Sequence, residues 1–128
     1  MSSNLQTLVP SDKHDLDAAR AAVALGWPAI KPITPQLLKW LQDMNWPVAH
    51  ILAPFFETVG AELAPYVRHI LDTQDEVWKY FIIQGVVAGS PEMSRALEPE
   101  LRRIALRPTE AEHKEEVDLV AQEALESL

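Results

Sequence analysis

Three stretches of the chain carry one pattern: Ile33-Thr34-Pro35-Gln36-Leu37-Leu38-Lys39-Trp40-Leu41, Leu63-Ala64-Pro65-Tyr66-Val67-Arg68-His69-Ile70-Leu71 and Leu97-Glu98-Pro99-Glu100-Leu101-Arg102-Arg103-Ile104-Ala105. Each reads apolar, any residue, Pro, any residue, Leu or Val, two variable positions, then two apolar or small residues. The prolines are 30 and 34 residues apart. Proline is tolerated in the first turn of a helix, where its missing N–H has no partner to lose. From the first residue of each stretch, apolar side chains recur at i, i+4, i+7 and i+8, which is one face of a helix. A period of this length marks stacked helical hairpins, none of which buries its apolar face alone.

The segments between these stretches read as the second helices of the hairpins. One runs from about Trp46 to Val59, with Asn45 as N-cap, Gly60 as stop and Pro54 as a kink. Its apolar stripe is Val48, Ile51, Leu52, Phe55, Phe56 and Val59. The next runs from about Glu76 to Ala88, capped by Asp75. Trp46 and Trp78 are 32 residues apart, the same period again. The last helix starts at the capping box Thr109-Glu110-Ala111-Glu112 and turns Val117, Val120, Ala121, Ala124 and Leu125 inward. Ahead of the repeat, Ser11 is the expected N-cap of a helix ending at Leu25, with Gly26 as its C′ residue. Trp27 to Pro32 is a linker, and residues 1–10 read as a loose arm. Phe81-Ile82-Ile83 has strand composition, but its place in the period favours helix. The expectation is one all-α domain over residues 1–128: about seven helices in a short right-handed stack of three hairpins, an α-α superhelix.

Charge and composition limit the partners. Nineteen acids against eleven bases give a net charge of −8, which argues against a nucleic-acid partner and its need for clustered Lys and Arg. From Thr109 to Leu128 there are seven acids and one base. Just before them, Arg95, Arg102, Arg103 and Arg107 form a basic cluster, expected to be partly neutralised by that acidic segment. No cysteine is present, so disulfides, thiolate metal sites and thiol nucleophiles are excluded. The longest apolar run, Phe81 to Gly89, is interrupted by Gln84 and too short for a bilayer. No secretory signal is recognisable at the N-terminus. The expectation is a soluble cytoplasmic protein with no membrane partner.

The Leu-x-Pro-x-Leu helices, the Asp in the turn and the apolar second helices resemble HEAT-type repeats. More closely, Asp12-Lys13-His14-Asp15, Trp40-Leu41-Gln42-Asp43-Met44-Asn45-Trp46-Pro47-Val48-Ala49, Trp78-Lys79-Tyr80, Pro108-Thr109-Glu110 and Glu115-Glu116-Val117-Asp118 are similar to a small bacterial family known only as domain of unknown function 5071. That resemblance covers nearly the whole chain, and Asn45 to Ala49 is its most specific element. It implies an all-helical, HEAT-like fold and no particular activity. The third hairpin here lacks the turn Asp and the Trp, as a degenerate capping unit would.

No catalytic motif is present, and the sequence implies no cofactor. Asp12, His14 and Asp15 have metal-binding or acid–base chemistry, but adjacent helical residues point in different directions, so a helix-start cluster is the simpler reading. His50, His69 and His113 lack any His-Glu-x-x-His spacing. Ser90 with Pro91 reads as an N-cap and first-turn pair, not a nucleophile elbow. Gly85 and Gly89 indicate close backbone packing or a helix end. Trp46 and Trp78 read most simply as core or turn-plugging residues; the functional alternative is a candidate interaction face of both with a polar rim of Asp43, Asn45, His50, Lys79 and Tyr80, since aromatic anchors carry much interface energy. The preferred function is non-enzymatic protein or peptide recognition, with the acid excess favouring a basic partner. One version is an immunity- or antitoxin-like protein masking such a partner. The alternative is a small-ligand or metal-dependent enzyme using Asp12, His14 and Asp15 or the Trp46 region.

Overall fold

The computed structural model describes the backbone of residues 2–128 and side chains from Leu5 onward. Every regular element it describes is helical, with no strand among the described residues. Phe81-Ile82-Ile83 is helix, as the period favoured.

The three proline stretches become α2 (Thr34–Leu38), α4 (Ala64–Leu71) and α7 (Glu98–Leu106). Pro35, Pro65 and Pro99 are each the second residue of their helix. Ile33, Leu63 and Leu97 occupy the preceding cap position without a side-chain hydrogen bond. All three are buried, as are Leu37, Val67 and Leu101, then Ile70 and Ile104, then Leu41, Leu71 and Ala105. Only Trp40 at these periodic positions is half-buried. Each buried Leu or Ile contributes about 2 kcal/mol relative to exposure. The same periodic face therefore fastens each of these stretches to the core.

The other elements are α1 (Leu16–Leu25), α3 (Pro47–Val59), α5 (Glu76–Ile82), α6 (Pro91–Ala96), α8 (Glu110–Lys114) and α9 (Val117–Glu126). α1 packs on α3, and α9 packs on α5, α6 and most extensively α7. α5 continues as one π-helical turn, Ile83–Val87, which packs against α3 and α9. Gly85 and Gly89 are points of close approach. A Cβ at Gly85 would collide with Met44 Cε, and one at Gly89 with a Glu57 carboxylate oxygen. Gly60 ends α3 at φ 80°, a conformation that favours glycine. Among the described residues no helix is long and apolar enough to cross a membrane.

Several expected boundaries move. α1 starts at Leu16, capped by Asp15 rather than Ser11. One Asp15 oxygen accepts the Ala18 N–H at 3.3 Å, and the other accepts from Ser11 N and Oγ at 2.9 and 3.1 Å. A single carboxylate thus closes both the turn and the helix end, and Ser11 is a donor to it. Asn45 does not cap α3. Its N–H turns back to Asp43 Oδ1 at 2.8 Å, and the Val48 N–H is satisfied by the Lys13 carbonyl at 3.2 Å. The expected last helix is two, α8 and α9, separated at Glu116, which adopts a left-handed φ of 63°. The Thr109–Glu112 capping box and the Ser90 cap on α6 form as expected. The first residues are not a loose arm from Leu5 on. Leu5, Leu8 and Val9 pack on the core, Pro10 is buried, and Gln6 and Gln36 exchange hydrogen bonds at 3.0 and 3.3 Å. Met1, part of that expected arm, lies outside the described residues.

Candidate functional site

Each proline stretch buries one face and leaves its proline at the surface. Pro35, Pro65 and Pro99 are all exposed, and two clefts open between them. Two clefts flank α4 and share Pro65 and His69.

The first, of about 500 Å³, lies between α2 and α4. Its walls are Pro35, Leu38, Pro65, Tyr66, Ile70 and Trp78, with Lys39, His69 and Thr73 completing the lining. Trp78 enters it from the first turn of α5. Asp75 fixes that turn by accepting the Trp78 N–H at 3.1 Å, and the indole N–H donates to the Leu38 carbonyl at 3.1 Å. The indole therefore satisfies a carbonyl at the end of α2 and holds its ring against the cleft. Thr73 shapes the turn before α5, donating to the Ile70 carbonyl and accepting the Asp75 N–H. At the α4 start, Trp27 stacks edge-on against Tyr66 at 6.2 Å, and its indole donates to Glu62 at 3.0 Å.

The second cleft, of about 620 Å³, lies between α4 and α7 and is lined by Arg68, His69, Asp72, Glu100 and Arg103 around Pro65, Pro99 and Ile104. Both of its guanidinium groups hold carboxylates. Arg68 donates to Glu100 at 2.8 Å and to the Ala96 carbonyl at 3.1 Å. Arg103 makes two bonds, at 2.6 and 2.7 Å, to the fully buried Glu112. Glu112 also accepts from Lys79 Nζ at 3.0 Å and from the Thr109 N–H at 2.8 Å, and Lys79 reaches Glu76 at 2.8 Å. The Arg103 guanidinium, aided by the Thr109 N–H and Lys79, holds the Glu112 carboxyl down at about 2 despite its burial. A carboxylate so placed stays ionised at neutral pH and ties α5, α7 and α8 together.

The chain matches the family described as Domain of unknown function (DUF5071) over residues 8–125. The chain belongs to this family. No curated protein matches it.

The seven residues of the expected interaction face do not share one surface. Asn45 and His50 are exposed and Asp43 is half-buried around the turn before α3, where His50 Nε2 lies 2.6 Å from the Met44 carbonyl. Trp46 is half-buried against Trp40, ring centres 5.5 Å apart. Trp78 lines the α2–α4 cleft instead. Lys79 is only 4% exposed and is no rim residue: its ammonium is consumed by Glu112 and Glu76. Tyr80 borders a shallow depression with Val77, Phe81, Glu115 and Glu116. Consecutive helical residues point about 100° apart, so 78, 79 and 80 go to three places.

Of the candidate acid–base cluster, Asp12 accepts the backbone N–H of His14 at 2.8 Å, and Asp15 serves Ser11 and Ala18. Both carboxylates are occupied in closing local turns. Among the described residues no three His, Asp or Glu side chains group as a metal site. His113 Nδ1 pairs with Asp118 at 2.8 Å across the α8–α9 break, and this contact raises its pKa. The basic cluster is only partly neutralised by the acidic segment. Arg103 reaches Glu112, Arg102 pairs with Glu98 in its own helix, and Arg95 and Arg107 make no ion pair among the described residues.

Sequence reading missed Lys39, Pro65, Tyr66 and His69 as cleft residues. The signal was in the repeat itself: the proline and its neighbour sit opposite the buried face. Lys79 was also detectable as an inward position, since it lies at i relative to Ile82, Ile83 and Val86 at i+3, i+4 and i+7, all buried.

Proposed function

We propose that this chain is a non-enzymatic recognition module of HEAT-like design that seats an extended peptide segment of a partner protein in the α2–α4 cleft. The observation that carries this is the cleft's lining: Pro35, Leu38, Pro65, Tyr66, Ile70 and Trp78 form an apolar trough with few polar groups. Its size falls within the range of sites that bury a ligand, and rigid aromatic and proline walls suit an extended chain. Trp78 is fixed by two hydrogen bonds before anything binds, which limits the ordering cost of binding. The acid excess of the whole surface would steer a partner whose outer surface is basic. The setting we infer is the bacterial cytoplasm, and masking of such a partner in the manner of an immunity protein is one form this recognition would take.

Selection of a random nine-residue peptide library on the immobilised chain tests the reading. Sequences should be enriched on the native chain and lost on Pro65→Glu. Pro65 is exposed in the first turn of α4, where an acid suits the helix dipole, so that variant keeps its fold while placing a charge on the cleft wall. Enrichment that persists on Pro65→Glu, or none on the native chain, contradicts it.

A further inference from the structure

We infer that the segment seated in the α2–α4 cleft pairs apolar side chains with a carboxylate. This deepens the peptide-recognition reading and rests on it. No Asp or Glu lines this cleft, although acids outnumber bases by eight in the chain. Its two basic residues, Lys39 and His69, stand at opposite walls, one following α2 and one on α4. Neither side chain has an ion-pair or hydrogen-bond partner among the described residues. Across α4 the situation is reversed: Arg68 is bound to Glu100 and Arg103 to Glu112.

The physical consequence is selective. A bound apolar segment would displace water beside the Lys39 ammonium and lower the local dielectric, which strengthens any charge pairing made there. A carboxylate on that segment gains a charge-assisted hydrogen bond from Lys39 at one wall or a ring N–H from His69 at the other. A lysine or arginine at the same place meets an unscreened like charge and is rejected. The acid excess lies outside this cleft, so it draws in a basic partner at long range while the cleft chooses an acidic, apolar stretch of it.

The test is to sequence the peptides enriched on the native full-length chain and repeat the selection on Lys39→Glu. Lys39 is exposed and its ammonium unbonded, so the variant should melt as the native chain does. The expected result is enrichment of Asp or Glu beside Leu, Phe, Trp or Pro. The best such peptide should bind Lys39→Glu about tenfold more weakly, and its own Glu→Gln or Asp→Asn version should lose a similar factor. Enriched peptides that are neutral or basic, with affinity unchanged by Lys39→Glu, overturn the inference and leave peptide recognition standing. No enrichment on the native chain overturns both. Octanoate provides the remaining arm. If it binds the cleft alone while no peptide is enriched, the seat is for a free amphiphilic acid and the peptide inference fails.

Discussion

The two clefts beside α4 are built from the same parts and differ in what their charges do. Both open between the proline-bearing starts of two helices and share Pro65 and His69. In the α4–α7 cleft the guanidinium groups already hold carboxylates, one of them fully buried. In the α2–α4 cleft the walls are apolar, and the side chains of Lys39 and His69 have no partner among the described residues. A satisfied ion pair fastens the fold and has little left to offer a ligand. An apolar wall with an unpaired cation is in the opposite condition. The contrast separates a cleft whose charges stabilise the fold from a cleft that we propose recognises a partner.

The largest effect should come from the stabilising side. Glu112→Ala leaves Lys79 and Arg103 without their shared carboxylate in a buried setting and should cost about 3 kcal/mol in urea unfolding. A loss below about 1 kcal/mol would mean that the knot is not what holds α5, α7 and α8 together. The same group sets an acid limb. Because the folded pKa of Glu112 is lowered from 4.5 to about 2, its contribution is present above pH 4.5 and lost as pH falls from there toward 2. That is a swing of about 3 kcal/mol at most, and thermal melts of Glu112→Gln should show a flatter acid limb.

The recognition side should respond in binding and barely in stability. Tyr66→Ala should weaken a selected peptide by about 1–2 kcal/mol, as loss of an aromatic wall does, while Lys39→Ala should change unfolding free energy by no more than about 0.5 kcal/mol. Isothermal titration and urea melts on both variants check this. If Lys39→Ala destabilises the fold strongly, the cation is structural and the contrast between the clefts collapses.

The smallest effect lies away from both clefts. His113 is largely exposed, and Asp118 raises its pKa. Its contribution is therefore present below its ordinary value and fades as pH rises through the raised one. His113→Ala should remove that slight downward slope on the alkaline side and leave peptide binding unchanged.

The helices and their buried faces were legible because they depend on local chemistry repeated three times. Proline in the first turn, apolar residues at helical spacing and the Thr109–Glu112 capping box all act within a few residues. The site was less legible. Which face of α2 or α4 opens to solvent depends on how the helices pack, and no spacing within one helix reveals that. Lys79 shows the limit most clearly. Its charge suggested the surface, while its position beside Ile82 and Ile83 pointed inward, and Glu112, 33 residues away, resolved the conflict. The split at Glu116 was hidden for a related reason: no glycine marks that left-handed turn.

The most direct test of the recognition claim is a ¹H–¹⁵N NMR titration of the full chain with a peptide from the library selection. The Trp78 indole signal and the amides of Lys39, Tyr66, His69 and Ile70 should shift together and saturate with one Kd, while His50 and Tyr80 stay still. Saturating shifts centred on His50 and Trp46, with the Trp78 indole unmoved, would contradict that claim.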